Sequence, residues 1–272
     1  MSDGPIAVFD SGVGGLTVVR ALLAAIPGER IVYFGDTARV PYGTRSKETI
    51  RRYALEDARF LLRFEPKLIV AACNTVSSTA LDYLEENVDV PVVGVIEAGA
   101  MAAAKASETG RIGIIGTEAT VDSRAYERAI QRIRPDAKVI AKACPLFVPM
   151  VEEGRVEGDV AELVAREYLG GLAPIGVDTL VLGCTHYPVL KGVIRKVTGD
   201  AVGIVDSADE TANAVKRLLE EEGIAAGEGR GGIEFFASDN PGRFRHLAVL
   251  FLGATTCSVT LVEPEDFFGG GA

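Results

Sequence analysis

The chain predicts an α/β fold of two duplicated domains with mostly parallel sheets. Three observations carry this expectation. Short apolar runs alternate with longer amphipathic stretches almost throughout the 272 residues. The runs are rich in Val, Ile and Leu without polar alternation, the pattern of strands covered on both faces. Two pairs of segments also look like copies of each other at nearly equal offsets. Ile6-Ala7-Val8-Phe9-Asp10-Ser11-Gly12 resembles Ile112-Gly113-Ile114-Ile115-Gly116-Thr117. Leu68-Ile69-Val70-Ala71-Ala72-Cys73-Asn74-Thr75 resembles Leu180-Val181-Leu182-Gly183-Cys184-Thr185-His186.

Taken in order, strands are expected over residues 6–9, 31–34, 68–72, 92–95, 112–115, 138–141, 179–182, 201–205 and 233–236. Helices are expected between them, among others over 16–25, 47–63, 124–132, 159–172 and 209–221. The glycine-rich stretch 227–232 reads as a loop, and the tail 269–272 is expected to fray. The duplication places a domain break near Glu97 and a return near Asp206. The expected domains are 1–96 plus 207–272, and 97–206.

Bulk properties narrow the function classes. Hydrophobic residues make up 48% of the chain, enough for a substantial core, and without tryptophan that core is aliphatic. The formal net charge of −10 argues against a nucleic-acid surface, which needs clustered Lys and Arg. The apolar run at 6–9 is too short for a signal peptide and no basic region precedes it. No apolar stretch reaches the ~18 residues of a membrane span. Four widely separated cysteines do not read as a disulfide frame, so a reducing cytoplasm is expected.

Loops at the carboxyl ends of parallel strands are where α/β proteins bind ligands. In Asp10-Ser11-Gly12-Val13-Gly14-Gly15 the glycines let backbone N–H groups approach an anion at a helix start. Thr17 stands where a dinucleotide fingerprint needs its third glycine, and no Gly-Lys-Ser/Thr follows, so neither nucleotide motif is present. Asp10 at the strand end is a candidate functional acid, with helix capping the alternative. In the second loop, a turn on Pro41 and Gly43 is expected to expose backbone donors and the Tyr42 hydroxyl.

The cysteine segments are the most informative. A free thiol, with pKa ~8.5, is only a few per cent thiolate at neutral pH, and a helix N-terminus lowers that value. Cys73 and Cys184 both fall at expected strand-to-helix junctions, each with a threonine within two residues. One such cysteine is most simply a small buried hydrophobe. Two in matched contexts point to function, whereas Cys144 and Cys257 lack the matching and read as core or surface residues. Two thiols from equivalent elements can face one substrate from opposite sides. That arrangement suits an enzyme that takes a proton from one face of a carbon and returns one to the other. His186 near Cys184 can assist its ionisation. A zinc site is not expected, because no second close Cys/His pair accompanies Cys184 and His186. His246, close to Arg243 and Arg245, reads as solvated. Glu152 and Glu153 form either a solvated face or a proton partner for the second thiol.

Together these segments resemble glutamate racemases of the aspartate/glutamate racemase superfamily. The matching runs are Asp10-Ser11-Gly12-Val13-Gly14-Gly15, Gly35-Asp36-Thr37, Val40-Pro41-Tyr42-Gly43, Cys73-Asn74-Thr75, Gly94-Val95-Ile96-Glu97 and Gly183-Cys184-Thr185-His186-Tyr187-Pro188. The last run, with Pro-Tyr-Gly upstream, points to the glutamate branch; the aspartate branch typically has Glu where His186 stands. The resemblance implies two pseudo-twofold-related α/β domains with the site in the cleft. It implies Cys73 and Cys184 as the two acid/base residues, the first serving D-glutamate and the second L-glutamate. Asp10 is then expected to assist Cys73, and His186 with Glu152 to assist Cys184. Ser11, Asn74, Thr75, Thr117 and Thr185 would hold the α-carboxylate and ammonium. Pro41, Tyr42 and Gly43 would hold the side-chain carboxylate, largely through backbone N–H groups. The family needs no cofactor, supplies D-glutamate for peptidoglycan and commonly forms homodimers.

The residues agree with cofactor-free chemistry. A pyridoxal enzyme needs a Schiff-base lysine, and no lysine sits in a matched strand-end motif. Rival readings are a racemase for aspartate or another amino acid, a dithiol redox protein joining Cys73 to Cys184, and a small-anion-binding protein on the same scaffold.

Overall fold

The computed structural model describes residues 4–227, 231–253 and 258–263. Cys257 and the tail expected to fray lie outside these residues, as does part of the glycine-rich loop. Described residues form ten strands: β1 (Ile6–Asp10), β2 (Ile31–Gly35), β3 (Leu68–Ala71), β4 (Val92–Gly94), β5 (Arg111–Gly116), β6 (Lys138–Ala143), β7 (Thr179–Gly183), β8 (Gly203–Asp206), β9 (Ile233–Ala237) and β10 (Val259–Leu261). Between them run α1 (Leu16–Ala25), α2 (Lys47–Leu62), α3 (Asn74–Thr79), α4 (Leu81–Glu85), α5 (Ile96–Ala106), α6 (Glu118–Asp122), α7 (Ala125–Ile133), α8 (Phe147–Glu152), α9 (Asp159–Leu169), α10 (Lys191–Thr198), α11 (Ser207–Glu221) and α12 (Pro241–Leu252).

The strands form two sheets, ordered β10-β9-β2-β1-β3-β4 and β6-β5-β7-β8, and every pairing is parallel. The run β2-β1-β3-β4 has the same order as β6-β5-β7-β8. This correspondence matches β1 to β5 and β3 to β7, the pairs that look like copies in the sequence. Cys73 follows β3 and Cys184 follows β7, so the thiols leave equivalent strands. All nine expected strands are present within a few residues of their expected ends. β10, a short edge strand, was not expected.

The central strands β1, β2, β3 and β7 are buried along their whole length, as continuous apolar runs require. The edge strand β6 alternates between partial and full exposure. Polar caps fix the helix starts: Ser46 accepts from Thr49 N–H for α2, Thr117 from Thr120 N–H for α6, and Asp206 from Ala208 N–H for α11. Helix α11 packs on α1 and α5, while α5 packs on α7 and β7, so the chain ties the two sheets together. One apolar cluster contains Val13 and Leu16 beside Ile115, Leu182 and Tyr187, so core packing is continuous between the halves. No described helix is long and apolar enough to cross a membrane.

Candidate active site

The candidate residues gather at the carboxyl ends of β1, β3, β5 and β7, where open parallel sheets bind ligands. Asp10 ends β1 and is fully buried. Its Oδ2 accepts from Gly12 N–H at 3.2 Å and Gly15 N–H at 3.0 Å. The anion gripped by these glycine amides is therefore the carboxylate of Asp10 itself, which corrects the expectation of a bound ligand there. Its Oδ1 is buried without a hydrogen-bond partner among the described residues. Burial raises the Asp10 acid above its ordinary value, against the opposing pull of His186, the two glycine amides and the Cys73 thiol.

Cys73 caps α3, is 5% exposed, and points its thiol at Ser11 Oγ, 3.8 Å away. The expected lowering by a helix N-terminus is present as a contribution from Val76 N–H, but it loses. Burial, followed by the negative charge of Asp10, pushes the thiol up to about 12. Cys184 leads into a 3₁₀ turn, Tyr187–Leu190, rather than an α-helix, with Tyr187 N–H bonded back to the Cys184 carbonyl at 3.1 Å. Burial pushes this thiol up as well; the His186 amide opposes the shift, while Cys73 and Asp10 add to it. At both thiols burial outweighs the neighbouring backbone amides and disfavours the thiolate, a correction to the sequence-based expectation. Cys73, Cys144 and Cys184 are all free.

His186 is 4% exposed, with Nε2 3.2 Å from Glu152 Oε1. Glu152 Oε2 lies 3.5 Å from Arg243 Nη2, and Arg243 also reaches Glu153 Oε1 at 3.2 Å. Of the two adjacent acids, Glu152 faces the histidine and Glu153 only the arginine. Burial raises the Glu152 acid, but His186 and Arg243 outweigh it and hold it below the ordinary glutamate value.

Neutral groups complete the centre. Thr75 Oγ1 and Thr117 Oγ1 are 2.9 Å apart, joining the α3 end of one half to the α6 cap of the other. Asn74 Oδ1 accepts from Tyr126 OH at 2.7 Å, while Asn74 Nδ2 is buried without a partner among the described residues. The Thr185 carbonyl accepts from Thr17 Oγ1 at 3.3 Å. Tyr42 departs from its expected place. It is 1% exposed, and its hydroxyl is occupied by Asp36 and Asp57, so it cannot present that hydroxyl to a ligand. Pro41 has no N–H to offer. The Tyr42 and Gly43 amides donate to no described residue, and such a buried, unpaired amide pair suits an anion.

A cavity of about 300 Å³ lies against Pro41, Gly43, Thr117 and Glu152. A smaller one of about 130 Å³ lies between Gly12, Glu152 and Arg243. The larger space of about 730 Å³ beside Pro27, Glu29 and Lys216 sits at the start of β2, the edge of the sheet opposite the thiols. Cys144 is buried, and its carbonyl accepts from Tyr187 OH; His246 is exposed. No group of three or more His, Cys, Asp or Glu among the described residues is arranged to hold a metal ion. Tyr126 and Arg243 were not foreseen, because they lie on helices with no motif around them; Thr17, just past the glycine-rich loop, was read only for the glycine it replaces.

Residues 14–215 match the family described as Asp/Glu/Hydantoin racemase. A glutamate racemase of Geobacter metallireducens is 52% identical over 96% of this chain and 97% of its own. The crystal structure of a glutamate racemase isoform from Bacillus anthracis superposes with a TM-score of 0.93 at 38% identity, covering 97% of this chain and 99% of that one. That of the Francisella tularensis enzyme in complex with D-glutamate gives 0.90 at 39% identity, covering 96% and 98%. The chain belongs to the glutamate racemases, within the Asp/Glu/Hydantoin racemase family.

Proposed function

We propose that the chain interconverts L- and D-glutamate by a two-thiol proton transfer at Cα, without a cofactor. The observation that carries this is the placement of Cys73 and Cys184 just past the carboxyl ends of equivalent strands of the two sheets. Starting from D-glutamate, the Cys73 thiolate takes the Cα proton. The electron pair of the broken C–H bond passes into the α-carboxylate, and the Cys184 thiol delivers a proton to the opposite face. Starting from L-glutamate, the roles reverse. Asp10 serves Cys73, and His186, oriented by Glu152, serves Cys184. Ser11, Asn74, Thr75, Thr117 and Thr185 hold the amino-acid head. The Tyr42 and Gly43 amides, in the turn fixed by Pro41, hold the distal carboxylate. Neutral hydroxyls and amides suit this task because they do not quench a thiolate, and a dry enclosure strengthens their effect on the developing charge. The working unit we propose is a cytoplasmic homodimer of two-domain chains, 1–96 plus 207–272 and 97–206, supplying D-glutamate for peptidoglycan. Three free, buried thiols suit a reducing compartment.

The test is proton NMR of the protein with L-glutamate in deuterated water and no added cofactor. Loss of the Cα proton signal with growth of D-glutamate is the expected result. Absence of both, on glutamate and then on aspartate, would end the racemase reading.

The raised thiols make a second prediction. The α-ammonium of the substrate adds a positive charge to the site, and it lowers the cost of forming a thiolate there. Without substrate, in a Cys257→Ser background, ultraviolet titration should show no thiolate step below the ordinary thiol value of ~8.5. The sign follows from burial, which favours the neutral form and moves ionisation to higher pH. A step at ~6–7, the mark of a thiol activated by a helix end or a histidine, would contradict it.

A further inference from the structure

Behind the turn at 41–43 lies a buried polar cluster that the proton transfer does not use. Asp36 follows β2 and Asp57 lies on α2; both are fully buried. Arg39 pairs with Asp36, Asp57 and Glu56. Ser238 donates to Asp36 Oδ1 at 2.8 Å. The Tyr42 hydroxyl contacts Asp36 Oδ2 and, at 3.1 Å, Asp57 Oδ2.

Counting protons identifies the state of this cluster. A phenol carries one proton, and an ionised carboxylate can only accept. Tyr42 can therefore donate to one of the two carboxyl groups, and the other contact needs a proton of its own. Arg39 pairs with both carboxyl groups, but Ser238 donates only to Asp36, which is therefore suited to accept the Tyr42 proton as well. Asp57 is then the group that donates to Tyr42 Oη. Its acidity agrees: burial, then the charge of Asp36, raise it well above the ordinary aspartate value, with Arg39 opposing.

The consequence falls on the turn. Gly43 lines the 300 Å³ cavity, and the amides of Gly43 and of its buried neighbour Tyr42 donate to no described residue. An ionised Asp57 behind them would oppose a carboxylate arriving in front of them. A neutral Asp57 removes that charge and still locks the Tyr42 ring in place. We propose that Asp57, as the proton-bearing partner of Tyr42, is a positioning residue for the subsite that receives the substrate's distal carboxylate. The proposal rests on the racemase reading of this site and adds to it a residue that never touches substrate.

The experiment is steady-state kinetics on D- and L-glutamate for the wild-type protein, Asp57→Ala, Asp57→Asn and Tyr42→Phe, each with its thermal midpoint. Asp57→Asn keeps a neutral group with an N–H donor facing Tyr42 and should keep a KM close to wild type. Asp57→Ala leaves the Tyr42 and Arg39 contacts unmade and should raise KM about tenfold, with kcat little changed. Tyr42→Phe keeps the buried ring but loses the bridge, and should raise KM in the same way, which covers the case that Asp57→Ala does not fold. An unchanged KM in Tyr42→Phe would overturn the proposal, as would an Asp57→Asn variant with KM raised as far as in Asp57→Ala. A fall in kcat alone would also overturn it. A wild-type protein with no Cα exchange on glutamate is a different failure, that of the racemase reading itself.

Discussion

Cys73→Ala and Cys184→Ala should each lower turnover of both glutamate enantiomers by roughly 10²–10⁴-fold, the usual weight of a positioned acid or base. The effect should be symmetric, because each direction needs one thiol as base and the other as acid. Losing either group removes the base for one direction and the acid for the other. Each change removes a single buried sulfur atom, so a fall in activity without a large change in thermal midpoint is expected. The variants should differ in what they retain. In the proposed mechanism, Cys184→Ala keeps the thiol assigned to the Cα proton of D-glutamate, and Cys73→Ala keeps the one assigned to L-glutamate. Residual deuterium incorporation in each should therefore be confined to one enantiomer and proceed with retention, because the proton returns from the face it left. Chiral analysis of the amino acid after incubation in deuterated water reads both quantities. Wild-type turnover in either single variant would sink the two-thiol mechanism, as would equal exchange of both enantiomers in both.

Much of this arrangement was legible in the chain, and the reason is burial. Strands covered on both faces must be apolar at every position, so β1, β3, β5 and β7 stand out as runs, and their pairwise likeness agrees with the strand order that the two sheets share. The same logic explains the failures. Helices such as α3, α6 and α8 are too short to display a period of 3.6 residues, and β10 is a brief edge strand. The thiols were found by matching their contexts, but the direction of their acidity was misjudged. A helix end is visible in sequence, whereas the desolvation that outweighs it depends on what the fold packs around the sulfur. The Tyr42 hydroxyl was placed toward a ligand for a similar reason. Its partner Asp57 comes from the middle of α2, where an acid in an amphipathic pattern gives no sign of being buried. Arg243 on α12 and Tyr126 on α7 reach the site only through the tertiary fold.

The loop 10–15 shows how far a glycine-rich motif can mislead and what it does instead. Gly12 and Gly15 turn their amides to Asp10. Gly14 makes no such bond and has a different role. A Cβ built there would collide with Thr185 Oγ1 and with Nδ1 and Cε1 of His186. The missing side chain is therefore what allows the β1 loop of one half to close against the second thiol's neighbours in the other half. Gly14→Ala must push His186 out of line with Cys184 and Glu152, or separate the two halves. Misplacing a catalytic group by about 1 Å costs on the order of 10²-fold in rate, and overpacking a tight contact costs about 1–3 kcal/mol of stability. Both losses are expected together in Gly14→Ala, read as kcat and as the denaturant midpoint. Gly192→Ala supplies the control. Gly192 lies on α10 with open space where its Cβ would go, and alanine there should stabilise by about 0.5–1 kcal/mol and leave kcat alone. If Gly14→Ala instead matched Gly192→Ala in both measurements, the close approach of the halves at Gly14 would have no part in holding the site together.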